Sequence, residues 1–271
     1  MKADLHVHSN FSDGSDSVED VMLQAHHNGV SQISFVDHDT VAGQEEAFAL
    51  GEKYGIEVIP GIEISAYDFK RDRKVHILGY HYHANAVNIK NLCQPLLERR
   101  HAHSMWQLEQ IKEAGYELNA DEIIAAAKPS RAIYKQHIMT YLTGASYTSL
   151  EYKRLYKKLF KGNGVAAGEI AYVDAFDAVQ AIVADGGLAV VAHPGQLDSY
   201  DLIPELSGAG LGGIERNHLD HTTEDHQRIE RLAEQYNLVM TGGTDYHGLF
   251  GAPIAVGKVV SNTPLKSKVS K

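Results

Sequence analysis

The chain has 271 residues, of which 44% are hydrophobic and 22% charged, and its formal net charge at pH 7 is −10. This composition is ordinary for a globular protein, and the length is enough for one large α/β domain with an insertion. The acidic balance argues against nonspecific binding to a nucleic-acid backbone, which needs a basic surface.

Targeting and redox signals are few. An apolar run of about 18 residues, which a membrane span requires, is absent, and the first residues, MKADLHVHS, lack the apolar stretch of a signal peptide. The single cysteine, Cys93, excludes an internal disulfide and a cysteine-based zinc site. Together these features predict a cytoplasmic protein with no membrane partner.

Short apolar runs rich in β-branched residues alternate with helical patterns along most of the chain. Such an alternation favours a parallel sheet, and seven strands of this kind fit a barrel with polar side chains at its carboxyl end. The predicted strands are 2–7, 32–37, 57–63, 75–80, 188–193, 212–216 and 238–244, and the predicted helices include 17–28, 41–54, 175–185 and 223–236.

The alternation is interrupted between residues 95 and 164, where apolar residues recur at helical spacing, after a predicted loop over 81–94. This segment has 11 Lys and Arg against 7 acids, a net charge of +4, which leaves −14 for the remainder. We therefore predict a barrel domain from residues 1–94 and 165–271 and an inserted helical cap over 95–164. A basic cap over an acidic barrel suits an anionic substrate, although the lysine-rich run at 153–161 is more often a solvated helix face.

Nine side chains of the types that bind metals lie at or near the predicted strand ends. Because strand ends of one barrel meet at one place, we expect these side chains to converge and to hold more than one divalent cation, which implies hydrolysis. The total of 16 histidines supports this, since histidine is the commonest metal ligand. The nine residues are His6, His8, Asp13, His38, Glu63, His76, His193, Asp245 and His247.

Spacing supports the two terminal pairs. His6 and His8 are two apart on a predicted strand, so their side chains point to the same side. Asp245 and His247 have the same spacing, and they form a mixed oxygen and nitrogen pair that suits zinc, manganese or iron.

The remaining candidates are single residues. Glu63 ends an apolar run, where a carboxylate is costly unless it is paired or metal-bound, and its two oxygens can bridge two cations. Taken alone, His76 and His193 are more often hydrogen-bonded core histidines, and Asp39 is as often the cap of the next helix. The recurrence of such residues at strand ends favours metal ligands.

Six segments resemble the successive motifs of the PHP (polymerase and histidinol phosphatase) family and occur in the family's order. The resemblance covers almost the whole chain outside the insertion. It implies a distorted (β/α)7 barrel of the PHP type with an inserted helical cap domain, and a two- or three-metal site that hydrolyses phosphoesters. The segments are DLHVHSNFSDGS, FVDHDT, GIEIS, VHILGY, VVAHPG and GGTDYHG.

The resemblance also implies a ligand set for each of two or three divalent ions, which are Mn²⁺, Zn²⁺ or Fe²⁺. Glu63 would bridge the first two. The first ion would be bound by His6, His8, Glu63 and Asp245, the second by Glu63, His76 and His193, and the third by Asp13, His38 and His247.

Residues that contact substrate are carried over from the same resemblance. His221 falls at the family's phosphate-contacting histidine, and Arg131 falls at an arginine of the insertion, but without the Pro-His that commonly follows it. Lys135 is a second candidate for the phosphate clamp. The proton for the leaving group would come from His221, from Asp39 or from water on a cation.

The sequence therefore predicts a metal-dependent phosphoesterase acting on a small phosphate ester and not on long nucleic acid. The predicted substrate is a nucleotide, either a mononucleotide, a 3′,5′-bisphosphate or a cyclic phosphate. The alternatives within enzymes are a histidinol-phosphate phosphatase, a PHP exonuclease and a metal-dependent amide or lactone hydrolase. A metal-binding regulatory protein is the alternative outside enzymes. The sequence leaves the leaving group, the metal and the oligomeric state open.

Overall fold

Residues 1–266 are described by the structure, a computed structural model. Their strands in chain order are β1 (Ala3–Val7), β2 (Gln32–Phe35), β3 (Glu57–Val58), β4 (Gly61–Asp68), β5 (Arg73–Tyr80), β6 (Val173–Asp174), β7 (Leu188–Val191), β8 (Gly213–Asn217) and β9 (Val239–Gly242). Their helices are α1 (Val18–His27), α2 (Gln44–Tyr54), α3 (Val87–Glu113), α4 (Ala120–Ala126), α5 (Lys135–Leu142), α6 (Leu150–Phe160), α7 (Ala175–Ala184), α8 (Pro194–Leu197), α9 (Ile203–Ser207) and α10 (Thr223–Tyr236).

These elements form a mixed α/β fold with two sheets. Strands β1, β2 and β3 form a parallel sheet in that order, and the second sheet has the order β6-β4-β5-β7-β8-β9. Single bridges join the sheets on both sides, between Val7 and Tyr246 and between His38 and Glu63. The end of β1 and the end of β2 are thereby brought beside the second sheet.

The expectation of a wholly parallel sheet is wrong for β5. Strand β5 pairs antiparallel with both β4 and β7. The predicted strand over 57–63 is in fact β3 and the start of β4, which continues to Asp68. A connection of four residues follows, too short for the crossover that parallel neighbours need. Asp68 stabilises this turn by accepting from the backbone N–H groups of Lys70 and Arg71.

The predicted loop over 81–94 is also wrong in part, because α3 begins at Val87. The residue before the helix, Ala86, supplies no side-chain cap. The cap comes instead from Asp185, nearly a hundred residues away, whose carboxylate accepts from the backbone N–H groups of Asn88 and Ile89 at 3.1 and 2.9 Å. A cap from so far along the chain leaves no local signal in the sequence.

The hydrophobic core is divided among the layers. One cluster packs α1 and α2 on the three-stranded sheet, and a larger one packs α3, α7 and α10 on the six-stranded sheet. A further cluster lies within residues 105–166. Between the two sheets, side chains from β1, β5 and β7 pack together, among them Leu5, Leu78 and Val190, and the Tyr80 hydroxyl donates to the Leu5 carbonyl at 2.8 Å. Within residues 1–266, no helix is long and apolar enough to cross a bilayer.

We expect Leu78→Ala to lower the free energy of unfolding by about 2–5 kcal/mol, because it leaves a cavity in the cluster that joins the sheets. Leu78 is fully buried, whereas Leu150 is 70% exposed, so Leu150→Ala is the matched control and should have little effect. Urea unfolding of both variants measures the difference. Equal, small losses would contradict a close-packed contact between the sheets.

Candidate metal centre and substrate cavity

A direct backbone contact joins β1 to the segment that follows β9. The N–H of Asp245 donates to the carbonyl of His6, and the N–H of His8 donates to that of Tyr246, both at 2.8 Å. Gly243 permits this approach, since a Cβ there would lie 2.4 Å from the backbone nitrogen of His6. The side chains of His6, His8 and Asp245 therefore lie side by side.

One carboxylate oxygen of Glu63 faces this group. Its Oε2 is 3.3 Å from His6 Nε2 and 3.1 Å from His8 Nε2, and Asp245 Oδ1 lies 3.2 and 3.3 Å from the same two nitrogens. All four side chains are buried or nearly so. Four donor atoms within a few ångströms of one another form a cluster that can surround a single cation.

The other oxygen of Glu63 faces a second pair of imidazoles. Its Oε1 is 2.8 Å from His76 Nδ1 and 3.0 Å from His193 Nε2. Strand pairing explains this: His76 on β5 lies opposite Ser65 on β4, two residues from Glu63, and the N–H of Ala192, beside His193, donates to the carbonyl of His76. The two oxygens of one carboxylate thus point to two different groups of histidines.

A third group forms around Asp13, in the loop after β1. Asp13, His38, His247 and His8 place ligand atoms within 4.8 Å of one another, and Asp13 Oδ1 is 3.4 Å from His247 Nε2. The loop is held by Asp37, which accepts from the backbone N–H and the hydroxyl of Ser9 and from the hydroxyl of Ser12. A neutral imidazole offers one lone pair on a ring nitrogen, so His8 can serve either this group or that of Glu63 as a neutral ligand.

The nitrogen and oxygen atoms that these residues present are suitable ligands for divalent cations. Buried polar atoms normally have hydrogen-bond partners, yet His8 Nδ1, Asp13 Oδ1 and His193 Nδ1 have none among the described residues. The ring nitrogens His6 Nε2 and His8 Nε2 face each other at 3.2 Å. Imidazole nitrogens and carboxylate oxygens together suit zinc, manganese or iron.

The pKa shifts of these side chains also indicate a site suited to cations. Burial alone would raise the pKa of Glu63, but the surrounding imidazoles, His38 and His76 first, outweigh it and hold that pKa well below its usual range. Burial lowers the pKa of His8, but hydrogen bonds to Asp245 and Glu63 outweigh it and raise that pKa to about 10. A proton on His8 would therefore help to balance the carboxylates, and a bound cation would take its place.

Glu215, on β8, is a site residue that the sequence reading missed. It is fully buried, its Oε1 accepts from His6 Nδ1 at 2.9 Å, and its Oε2 accepts from the backbone N–H of His193 at 2.8 Å. This fixes the His6 tautomer with Nε2 free to face Glu63. The signal was available, because Glu215 ends the apolar run GGIE just as Glu63 ends PGIE.

Arg100 and His218 were also missed. Arg100, on α3, donates to Asp39 Oδ2 and Ser65 Oγ, both at 2.8 Å. His218 Nε2 lies 3.3 Å from Asp245 Oδ2. An arginine inside a long helical pattern carries no signal of its own, since only the fold brings it to the strand ends.

A cavity of about 290 Å³ opens beside these candidate metal ligands. On one side it is lined by Asp13, His38, Glu63, His76, His193, Asp245 and His247. On the other side it is lined by Lys74 of β5 and by residues of α3, α5, α6 and the segment 168–172, among them Arg100, His103, Gln107, Lys135 and Glu169. Two bonds join the helical segment to the metal side: Gln136 donates to Asp13 at 3.0 Å, and the Tyr134 hydroxyl donates to the carbonyl of His38 at 3.1 Å.

The predicted substrate residues are distributed unevenly around this cavity. Lys135 lines it, whereas Arg131 is exposed and lies outside its lining. His221 is also outside the lining: its Nδ1 donates to the carbonyl of Arg216 at 2.7 Å, and its Nε2 accepts from the N–H of Gly195. Asp39 caps no helix. It accepts from the N–H of Ser65 at 2.7 Å and pairs with Arg100.

Buried His, Asp and Glu side chains around one cavity, with donors in three adjoining groups, define a metal-dependent hydrolase. The PHP domain model matches residues 4–186. The chain belongs to the PHP family, and it is a metal-dependent phosphoesterase that hydrolyses phosphoric esters.

Individual relatives are similar along nearly their whole length. The chain is 54% identical over 257 residues to a phosphoribosyl 1,2-cyclic phosphate 1,2-diphosphodiesterase of Eggerthella lenta, covering 95% of this chain and 98% of that protein. It is 28% identical to a 5′-3′ exoribonuclease of Haemophilus influenzae, covering 91% and 90%. A Bifidobacterium adolescentis protein assigned as a metal-dependent phosphoesterase has a crystal structure that matches with a TM-score of 0.86 at 25% identity, covering 96% and 92%.

We expect Glu63→Gln to lower both metal content and kcat/KM, the latter by more than about 100-fold, because loss of an outer hydrogen-bond partner of a ligand already costs 10- to 100-fold. The amide keeps the shape but loses the negative charge between the two groups of histidines. Elemental analysis and phosphate release measure the two effects. Glu57→Gln, at an exposed position on β3, is the control, and near-normal metal content in Glu63→Gln would refute the bridging role.

Glu215→Gln should weaken metal binding by about 10- to 100-fold, because the amide no longer fixes the His6 tautomer with a charged acceptor. Competition against a chelator of known affinity gives the dissociation constant. The control is Glu230→Gln, which removes an exposed acid of α10 that pairs with Arg216, the neighbour of Glu215 on β8. This variant should leave metal affinity unchanged. Equal affinities for the Glu215 variant and the wild type would remove Glu215 from the site.

Proposed function

We propose that the substrate is a phosphorylated ribose carrying a 1,2-cyclic phosphate. The observation that carries this proposal is the 54% identity, over nearly the full length of both chains, to the Eggerthella lenta phosphodiesterase. One water would open the cyclic diester to a monoester and a free hydroxyl group. A second water would release inorganic phosphate and leave the second hydroxyl group.

The nine side chains around the cavity are proposed as the ligands of two or three divalent ions, Mn²⁺, Zn²⁺ or Fe²⁺. The ligand sets would be His6, His8, Glu63 and Asp245, then Glu63, His76 and His193, then Asp13, His38 and His247. The separate orientation of the two Glu63 oxygens supports the bridging role, and the unpartnered donors support the other assignments. Such cations would supply a water of lowered pKa and stabilise charge on the phosphoryl oxygens.

Several residues around the ligands are proposed to hold the site in shape. Glu215 would orient His6. Asp39 would act through Arg100, whose guanidinium lines the cavity and is fixed by the Asp39 carboxylate. His221 would support the turn after His193, because it accepts from the N–H of Gly195. The role of Asp39 or His221 as proton donor to the leaving group stays a prediction. The bond of Asp39 to Arg100 and the bonds of His221 to the backbone favour positioning roles instead.

The fold is proposed to be a distorted PHP-type barrel, residues 1–94 and 165–271, with a helical cap over 95–164. The cluster shared by β1, β5 and β7 and the bridges between the sheets support a closed barrel. The separate core within residues 105–166 supports a cap. Helix α3 crosses the boundary at residue 95 and would tie the two parts together.

A small substrate is favoured over long nucleic acid. The cap side approaches the metal side closely, through Gln136 to Asp13 and through Tyr134 to His38, so the cavity is narrow. The net charge of −10 also disfavours a polymeric anion. The second candidate function is an exonuclease, which the 28% identity to an exoribonuclease favours. The phosphate-clamp role of Arg131 stays a prediction.

The test is phosphate release by metal-loaded protein from a panel of phosphate esters. We expect the highest kcat/KM for 5-phosphoribosyl 1,2-cyclic phosphate, above mononucleotides, 3′,5′-bisphosphates, histidinol phosphate and oligoribonucleotides. A chelator should abolish the activity, and addition of Mn²⁺, Zn²⁺ or Fe²⁺ should restore it. A higher kcat/KM for oligoribonucleotides would overturn the proposal in favour of the exonuclease.

A further inference from the structure

The two sides of the cavity carry opposite charge. The metal side contributes three carboxylates, from Asp13, Glu63 and Asp245. The side that faces them, the cap side, contributes Arg100 and Lys135 from the helical segment and Lys74 from β5, against the single carboxylate of Glu169. In this arrangement cations would occupy the acidic side, whereas the basic side is suited to an anion.

The cations of the cap side differ in their partners. Lys74 pairs with Glu169 at 2.7 Å, and Arg100 pairs with Asp39 at 2.8 Å. Lys135, the first residue of α5, has no carboxylate oxygen within 4.0 Å in residues 1–266, and its ammonium lies 5.9 Å from the centre of the Phe160 ring. One positive charge in the wall of the cavity is therefore uncompensated.

Burial makes this charge costly. The pKa of Lys135 is lowered to about 8 by burial, with Lys74 and Arg100 adding to the shift and Glu169 opposing it. A charge of this kind is stabilised when an anion joins it in the same low-dielectric surroundings. An anionic ligand in the cavity would thus compensate the ammonium charge of Lys135, which the protein alone leaves without a carboxylate partner.

Other polar atoms in the lining of the same cavity have no hydrogen-bond partner either. Arg100 Nε and His103 Nε2 are buried without a hydrogen-bond partner among the described residues, as is the carbonyl oxygen of Gln107. All three side chains line the cavity. Buried polar atoms left unpaired by the protein are satisfied by water or by a polar ligand, and an anion in the cavity can accept from those that carry hydrogen.

We propose that Lys135, with Arg100 and His103, binds a second phosphate of the substrate, remote from the ester that is hydrolysed. This subsite rests on the proposed function, because it assumes that the ester itself lies at the metal side. The 5-phosphate of a phosphoribosyl substrate has the required chemistry, since a dianion can accept from an ammonium, a guanidinium and an imidazole together. Lys135 would then select substrates that carry two phosphate groups.

Two assays test the subsite on the metal-loaded full chain. The first compares kcat/KM for 5-phosphoribosyl 1,2-cyclic phosphate with kcat/KM for ribose 1,2-cyclic phosphate, which lacks the remote phosphate. The second measures binding of ribose 5-phosphate by calorimetry. The variants are Lys135→Met, which removes the charge, Lys135→Arg, which keeps it, and Lys153→Met, the control at an exposed lysine of α6 outside the cavity.

We expect Lys135→Met to lower the ratio of the two kcat/KM values by about 10- to 100-fold, the range for a charge-assisted hydrogen bond, and to raise the dissociation constant of ribose 5-phosphate at least about tenfold. Lys135→Arg should keep most of the kcat/KM ratio and most of the affinity for ribose 5-phosphate. Lys153→Met should change neither the ratio nor that affinity.

An equal loss on both cyclic esters with unchanged ribose 5-phosphate binding would overturn the subsite, as would absence of that binding in the wild type. If the wild type hydrolyses neither cyclic ester, the proposed function fails, and the calorimetry of the variants still decides the subsite.

Discussion

The carboxylate of Glu63 is the point on which the site depends, because it is buried among imidazoles from four separate segments. Its oxygens lie between 2.8 and 3.5 Å from nitrogens of His6, His8, His38, His76 and His193. A buried carboxylate is tolerated only when charges and hydrogen bonds compensate it. The segments that carry these histidines must therefore meet at one place, and cations bound between the candidate ligands would supply this compensation.

The backbone geometry that satisfies this requirement is specific. The approach of β1 to the segment after β9 is possible because Gly243 has no side chain, and it sets Asp245 beside His6 and His8. The antiparallel pairing of β4 with β5 then places His76 diagonally across from Glu63. Glu215 connects both halves of the site, since one oxygen accepts from the ring of His6 and the other from the backbone of His193. The positions of these candidate ligands are thus set by backbone contacts between distant segments.

Charge is divided between the two sides of the cavity, and in the proposed function chemistry and recognition would be divided in the same way. The acidic side belongs to the strand ends, and the basic side belongs mainly to the helical segment, which has its own hydrophobic cluster. This division is consistent with the different substrates named for the relatives, a cyclic phosphodiesterase and an exoribonuclease, because one kind of hydrolytic centre can serve different phosphate esters. Differences among such enzymes would then arise from residues such as Lys135, and the metal-binding residues would stay the same.

The sequence by itself predicted the nine candidate ligands, because residues of ligand type recur at or near the predicted strand ends, and the structure brings their side chains together. His76 arrives differently, since it lies within the antiparallel strand β5 and meets Glu63 across the pairing of β4 with β5. The sequence also predicted the main helices and most strands within a few residues. Tertiary structure decided the rest. The antiparallel position of β5, the start of α3 under a cap from Asp185, and the arrival of Arg100 at Asp39 depend on contacts between distant segments. Local propensity and periodicity carry no information about such contacts, because each partner has an ordinary sequence context of its own.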